Sequence, residues 1–116
     1  MADVTIYHNP RCSKSRATLK LLRERGLEPT VIEYLKNPPD PPTLGKLLDM
    51  LGLEPIDLVR RKEAPFKELG LNDKPDDRDA LIAAMVEHPI LIERPIVVRG
   101  GKARLGRHPE QVLEIL

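Results

Sequence analysis

The sequence predicts one α/β domain in which a four-stranded mixed sheet is covered by helices and interrupted by a helical insert. Three observations lead to this fold class. A β-α-β pattern opens the chain, a proline-rich segment leads into a helical stretch at about 43–87, and two strands joined by a Gly-Gly pair come near the end. We expect the domain to span residues 1–116 and the insert to lie within it.

The first third of the chain supplies two strands and a helix. Residues 4–7 are β-branched and aromatic, and the following His-Asn-Pro at 8–10 ends the strand and turns the chain. A helix then begins at or next to Cys12 and ends at Gly26. Residues 30–34 read as a second strand, which a right-handed crossover places parallel to the first.

The middle of the chain changes character. Four prolines in 37–42 predict a linker without regular structure, because each removes a backbone donor and restricts its predecessor. Leucines with helical spacing then precede Gly52, and helical signals resume over 80–86 after a short turn near 56–60. We therefore expect a small helical insert.

The last third returns to strands. Residues 96–98 and 103–105 are strand-like, and Gly100-Gly101 between them predicts a two-residue hairpin turn. A proline then opens a last helix over 110–116. The order β-α-β, helices, β-β-α is the ground plan of a thioredoxin or glutaredoxin with helices inserted in its middle.

Composition excludes several classes of function. The chain has 19 basic and 18 acidic side chains, so its bulk charge predicts neither nucleic-acid nor membrane partners. No signal-like start and no long apolar run is visible, and we expect a cytoplasmic protein. A single cysteine excludes an internal disulfide, and the three scattered histidines do not give a structural zinc site, so no metal and no bound cofactor is expected.

The cysteine is the main candidate for chemistry. Backbone N–H groups and the helix dipole favour the thiolate of a cysteine at the start of a helix, and Arg11, Lys14 and Arg16 add positive charge around Cys12. Ser15 is expected to offer a hydroxyl donor to the thiolate or to an anion. A solvated basic helix face that carries an incidental cysteine is the structural alternative.

Residues 7–16, which read YHNPRCSKSR, resemble the active-site loop of the glutaredoxin-coupled arsenate reductase (ArsC) family, closest to its arsenate reductase-like branch. The resemblance returns in four further segments, at 34–39, 58–62, 93–98 and 104–107. It implies a role in arsenic detoxification. The thiol of such an enzyme attacks arsenate, glutathione enters as the reducing co-substrate, glutaredoxin removes the mixed disulfide, and arsenite leaves.

The resemblance also assigns roles to single residues. Cys12 takes the place of the nucleophile, and Arg60, Arg94 and Arg107 match three arginines that surround the oxyanion. Arginine suits that task because its planar fork pairs with tetrahedral oxygens and stays charged. Each arginine has a structural alternative, which is strongest for Arg60 because Arg61 stands beside it and both read as ordinary surface charge.

The remaining matches are supporting residues. Pro95 corresponds to a proline that thioredoxin-like folds hold in cis near the cysteine, with a plain trans proline as the alternative. His8 matches a histidine that influences the thiol, although an exposed histidine at a strand end fits the sequence almost equally well. Ser15 and Arg16 complete the set in the loop.

Two other functions remain open from the sequence. Relatives of the Spx type share this fold and act as adaptors on RNA polymerase, in many cases with a C-x-x-C switch that Ser15 removes here. A monothiol reductase of another substrate is the second alternative. Both alternatives keep the fold, and only the second keeps Cys12 as a nucleophile.

Overall fold

The computed structural model describes residues 4–116, and the predicted start of the domain at residue 1 lies outside the described residues. The chain divides into two compact units. A sheet unit is formed by residues 4–37 together with 94–116, and a helical unit is formed by residues 38–93. We describe each unit by itself.

The sheet unit contains four strands: β1 (Val4–His8), β2 (Thr30–Glu33), β3 (Ile96–Arg99) and β4 (Lys102–Leu105). Their spatial order is β2-β1-β3-β4. β1 pairs parallel with β2 and antiparallel with β3, and β3 pairs antiparallel with β4. The predicted four-stranded mixed sheet is therefore confirmed.

One helix, α1 (Ser13–Glu24), connects β1 to β2 and buries one face of the sheet unit. Its buried positions are Ser15, Thr18 and Leu22, and its other positions are polar, basic or partly exposed. An apolar cluster joins β1, α1, β3 and the C-terminal segment, and its fully or almost fully buried members are Val4, Ile6, Leu22, Val97 and Val112. Burial of this cluster fixes α1 against the strands that carry the loop around Cys12.

The hairpin between β3 and β4 has the predicted two-residue turn. Gly100 and Gly101 have φ angles of 57° and 81°, so both lie in the left-handed region that this turn type requires. The predicted last helix over 110–116 is a 3-10 helix over Pro109–Ile115, with Val112 buried. A tighter 3-10 turn keeps this short segment against β4 and α1 without a full α-helical repeat.

The helical unit contains four α-helices: α2 (Pro41–Leu51), α3 (Pro55–Leu58), α4 (Ala64–Glu68) and α5 (Arg78–Glu87). Short 3-10 helices lie at Leu71–Asp73 and Pro89–Leu91, and Val59 forms an isolated antiparallel bridge with Ile92. Within residues 4–116, no helix has the length and apolar character needed to cross a membrane.

The proline-rich segment needs a correction, because part of it is helical. Pro41 and Pro42 are the first two residues of α2, and Asp40 caps this helix by accepting the N–H of Thr43 at 2.9 Å. Proline fits the first turn of a helix because the N–H groups there have no intrahelical partner. The expectation of a linker therefore holds only for 37–40, which have no regular structure.

Candidate active site

The loop between β1 and α1 is closed by its own backbone. The N–H of Cys12 donates to the carbonyl of Asn9 at 3.0 Å, and the N–H of Arg11 donates to Oδ1 of the same asparagine at 3.0 Å. From the helix side, the Arg16 guanidinium donates to the carbonyl of Pro10 at 2.9 Å. Cys12 is the N-cap residue of α1, as predicted, with extended backbone angles.

Ser15 ties this loop to the end of β1. Its side chain is fully buried, its Oγ accepts the N–H of Asn9 at 3.0 Å, and the same Oγ lies 2.6 Å from Nδ1 of His8. One hydroxyl therefore links the last residue of the strand, the first residue of the loop and the first turn of the helix. These contacts hold Cys12 in place without touching its sulfur.

His8 is 6% exposed, so the alternative of an exposed histidine at a strand end is wrong. Burial lowers its pKa, the Glu33 carboxylate opposes this, and the guanidinium charges of Arg23 and Arg16 lower the pKa further. A pKa below the ordinary 6.5 leaves the imidazole neutral at neutral pH. We assign the proton to Nε2, since Nδ1 then accepts from the Ser15 hydroxyl.

The environment of the thiol favours its charged form. Burial raises the pKa of Cys12, but hydrogen bonds from the backbone N–H groups of Ser15 and Lys14, together with the charge and a hydrogen bond of Arg94, lower it by more. The net pKa lies below the ordinary 9.0. A lowered pKa is what a nucleophilic cysteine requires at neutral pH, and the role of Cys12 as nucleophile stays a prediction.

The role expected of Ser15 is corrected by this arrangement. Its backbone N–H, and not its hydroxyl, is the donor to the thiol. The hydroxyl lies on the buried side of α1 and is used by His8 and Asn9. The first turn of a helix explains the division, because N–H groups there point out of the helix end while side chains follow its faces.

Arg94 and Arg107 lie on two backbone segments that are joined by a hydrogen bond. The Arg94-Pro95 peptide bond is cis, and the N–H of Gly106 donates to the carbonyl of Pro95 at 2.8 Å. Arg94 precedes this hydrogen-bonded pair and Arg107 follows it. The structure thus brings Arg94 into contact with Cys12 and places the backbone of Arg107 one residue beyond a hydrogen-bonded neighbour of Arg94, while the role of the Arg107 side chain stays a prediction.

Arg60 belongs to the helical unit. Its N–H donates to the carbonyl of Leu91 at 2.6 Å, and its guanidinium lies 3.3 Å from the carboxylate of Glu63. Three quarters of its side chain is buried, which does not fit the alternative of ordinary surface charge. Its place around an oxyanion stays a prediction.

Three positions that support the site were not identified from the sequence. Asn9 supplies two of the acceptors that close the loop, and its position before a proline was interpreted only as the end of the strand. The hydroxyl of Thr18 lies 3.5 Å from the carbonyl oxygen of Gly106, so these two residues join α1 to the segment that follows β4. A Cβ on Gly106 would lie 2.5 Å from Oγ1 of Thr18 and 2.7 Å from Cγ of Pro95. Within residues 4–116, no cluster of His, Cys, Asp and Glu side chains is arranged to hold a metal ion.

The order of the strands in this mixed sheet, with a helix after the first strand that begins beside a cysteine, defines a protein of the thioredoxin-like fold. Residues 7–115 match the ArsC family, which covers almost all of the described chain. The chain therefore belongs to the ArsC family, as the loop sequence predicted.

Three relatives show how similar the chain is to known members. It is 59% identical to the uncharacterized protein YfgD of Escherichia coli K12, over 98% of this chain and 97% of the relative. It is 51% identical to an arsenate reductase of Rhizobium meliloti, over 97% of this chain and 81% of the relative. A solved structure of an arsenate reductase from Vibrio cholerae matches with a TM-score of 0.96 at 57% identity, over 99% of this chain and 98% of the other.

Proposed function

We propose that the protein is an arsenate reductase that uses the Cys12 thiolate as nucleophile and glutathione with glutaredoxin as its source of electrons. The observation that carries this proposal is the contact of Arg94 with the Cys12 thiol. The same thiol also accepts hydrogen bonds from the N–H groups in the first turn of α1. This contact places a fixed positive charge where a nucleophile and a tetrahedral anion must meet. The relatives that are named arsenate reductases, at about half identity over nearly the whole chain, support the choice of anion.

The reaction begins with attack of the Cys12 thiolate on arsenic, which displaces one oxygen as water or hydroxide and gives a covalent sulfur–arsenic(V) adduct. A glutathione thiolate then attacks the Cys12 sulfur. The sulfur–arsenic bond breaks, its electron pair stays on arsenic, and arsenite leaves, while a Cys12–glutathione disulfide forms. Glutaredoxin finally attacks the glutathione sulfur, and Cys12 departs as a thiolate, which its low pKa favours.

Positive charge serves both the thiolate and the anion. Arg94 lowers the pKa of Cys12 in the free enzyme and pairs with an arsenate oxygen during attack. Arg107, which is anchored next to Arg94 through the Gly106–Pro95 hydrogen bond, supplies a second guanidinium. The resemblance gives Arg60 the role of the third guanidinium, and this side chain lies 3.3 Å from the Glu63 carboxylate.

The supporting residues act through position. His8 and Ser15 hold the loop through the hydrogen bond between their side chains, and Arg16 holds it by donating to the carbonyl of Pro10. The carbonyl of Pro95 accepts the N–H of Gly106, which joins the backbone segments that carry Arg94 and Arg107. Glutathione is the reducing co-substrate, and no resident cofactor takes part. A reduced cytoplasm supplies glutathione and keeps the single thiol free, so we place the protein there.

The direct test is a coupled assay with arsenate, glutathione and glutaredoxin that follows arsenite formation by the wild type and Cys12→Ser. We expect steady turnover by the wild type and none by the variant, because a hydroxyl in the same place is not ionised at neutral pH. Circular dichroism should show the same fold for both proteins. Equal turnover by the two proteins would rule out Cys12 as the nucleophile, and turnover of small disulfides without turnover of arsenate would rule out the substrate.

A further inference from the structure

Positive charge is concentrated in one part of the chain. Residues 11–25 contain six basic residues and one acidic residue, so this segment has a net charge of +5. The remaining sequence has thirteen basic and seventeen acidic residues, or −4, although the whole chain has only +1. The segment consists of the Cys12 loop and α1.

The charge forms a continuous exposed face on α1. Arg16, Lys20 and Arg23 follow the spacing i, i+4, i+7, which aligns them along one side of the helix, and all three are exposed. We call these three residues the α1 basic face. Cations elsewhere pair with carboxylates, among them Lys36, Arg60, Arg78 and Arg104, whereas in the described part of the chain Lys20 and Arg23 pair with no carboxylate.

Helix stability accounts for Arg23, which lies in the last turn of α1 where the dipole favours a cation, but not for the cations of the first turn. The positive end of the helix dipole favours acidic side chains in the first turn, and α3 and α5 carry Asp57 and Asp79 there. α1 has no acidic residue in its first turn and has Lys14 and Arg16 instead. Cations in a first turn oppose the helix dipole, so we infer that the charge at this end of α1 serves an interaction.

The length of the face excludes a small molecule as its only occupant. Eleven residues separate Cys12 from Arg23, which corresponds to about 16 Å along a helix. A fully extended tripeptide thiol spans about 10 Å. A small anionic thiol can therefore contact the loop and Arg16, but only a macromolecule can contact Cys12, Lys20 and Arg23 at once.

We propose that the α1 basic face is the docking surface for a thiol protein that has an acidic surface beside its reactive sulfur and that regenerates Cys12. The chain has one cysteine and cannot resolve its own disulfide, so a thiol of another molecule must reach this sulfur. Its thiolate attacks the outer sulfur of a disulfide between Cys12 and a small thiol. That disulfide bond breaks, the Cys12 thiolate leaves, and the small thiol stays on the partner. Opposite charges beside the two sulfurs increase the rate of productive encounter.

The inference rests on the proposed function only in requiring a disulfide at Cys12, and the test does not use arsenate. The wild type and Lys20→Glu/Arg23→Glu are first converted to the Cys12–glutathione disulfide. Release of glutathione is then measured with a bacterial glutaredoxin of net negative charge and, separately, with uncharged dithiothreitol. The matched control is Lys67→Glu/Lys74→Glu, which reverses two exposed cations in the helical unit.

We expect the second-order rate constant with glutaredoxin to fall at least tenfold in Lys20→Glu/Arg23→Glu and by less than twofold in the control. We also expect 0.5 M salt to slow the wild type with glutaredoxin towards the rate of the variant, because exposed charges are screened. Rates with dithiothreitol should agree within twofold for all three proteins. An equal loss in the control, no loss in the α1 variant, or a parallel loss with dithiothreitol would each overturn the proposal.

A nucleic acid is the competing polyanion, and one binding measurement decides between the two. Fluorescence anisotropy with a labelled 20-nucleotide single strand should show no binding at physiological salt that depends on Lys20 and Arg23. Micromolar binding that is lost in the α1 variant and that blocks glutaredoxin would assign the face to nucleic acid and contradict the proposal.

Discussion

Ser15 illustrates how a side chain supports a reactive thiol that it does not touch. Its hydroxyl joins His8 and Asn9, and its backbone N–H lowers the pKa of Cys12. The sequence indicated that position 15 matters, because a resolving cysteine stands there in a C-x-x-C motif. It did not indicate which atoms of Ser15 are used, since that depends on the rotation of α1 against β1.

The contribution of this hydroxyl can be measured by comparing Ser15→Ala with Ser13→Ala. Loss of the Ser15 hydroxyl leaves the buried Nδ1 of His8 and the N–H of Asn9 without their partner, which we expect to cost about 1–3 kcal/mol of unfolding free energy. Ser13 is exposed, and its change to alanine should stay within about 0.5 kcal/mol. Urea denaturation measures both values, and similar stabilities for the two variants would show that the buried hydroxyl has no structural role.

At the scale of elements, the sequence predicts correctly those strands, turns and helices that depend on neighbouring residues. The strand, turn and helix around Cys12 follow from residue types within about a dozen positions, and the Gly-Gly hairpin was predicted in full. The start of α2 was misplaced because prolines at 41 and 42 fit a first helical turn as well as a linker. The contact of Thr18 with Gly106 joins residues 88 positions apart, and no local pattern predicts it.

That distant contact leads to a prediction about glycine. Gly106→Ala places a Cβ 2.5 Å from Oγ1 of Thr18 and 2.7 Å from Cγ of Pro95, so the buried Thr18 and Pro95 side chains must shift. We expect a loss of about 1–3 kcal/mol in unfolding free energy, as for other overpacked sites. The control is Gly45→Ala inside α2, where the nearest atom lies 3.6 Å away and the change should stabilise the helix by up to about 1 kcal/mol. Equal effects of the two changes on thermal or urea unfolding would contradict the packing argument.

At the scale of the whole molecule, the fold and the family could be predicted from the sequence, while the distribution of charge over the structure could not. The net charge of +1 hides a basic segment at residues 11–25 and an acidic balance in the rest of the chain. The structure is needed to show that the basic residues of α1 are exposed on one side of the helix. The roles of Arg60 and Arg107 rest on the resemblance, because neither residue has a local pattern that separates a pocket from a surface. The single cysteine is the feature of the whole chain with the clearest chemical consequence.

Because the chain has one cysteine, it can form one mixed disulfide and cannot release it by itself. With arsenate and glutathione but no glutaredoxin, we expect the chain to accumulate with one glutathione attached and turnover to slow sharply after about one cycle, because the chain has no second cysteine and release then depends on slow exchange with free glutathione. Intact mass spectrometry detects the adduct, and added glutaredoxin should remove it. Sustained turnover without glutaredoxin would show that another thiol resolves Cys12.

The account as a whole depends on an activated thiolate, and the pH dependence of Cys12 alkylation tests this most directly. As pH rises, the rate with iodoacetamide should increase through a midpoint below 9.0 and then level off, because the thiolate is the reacting form and its pKa is lowered. Arg94→Gln should move the midpoint upward, since the charge and the hydrogen bond of Arg94 lower the pKa of Cys12. A midpoint at or above 9.0 in the wild type, or one that Arg94→Gln does not move, would contradict the account.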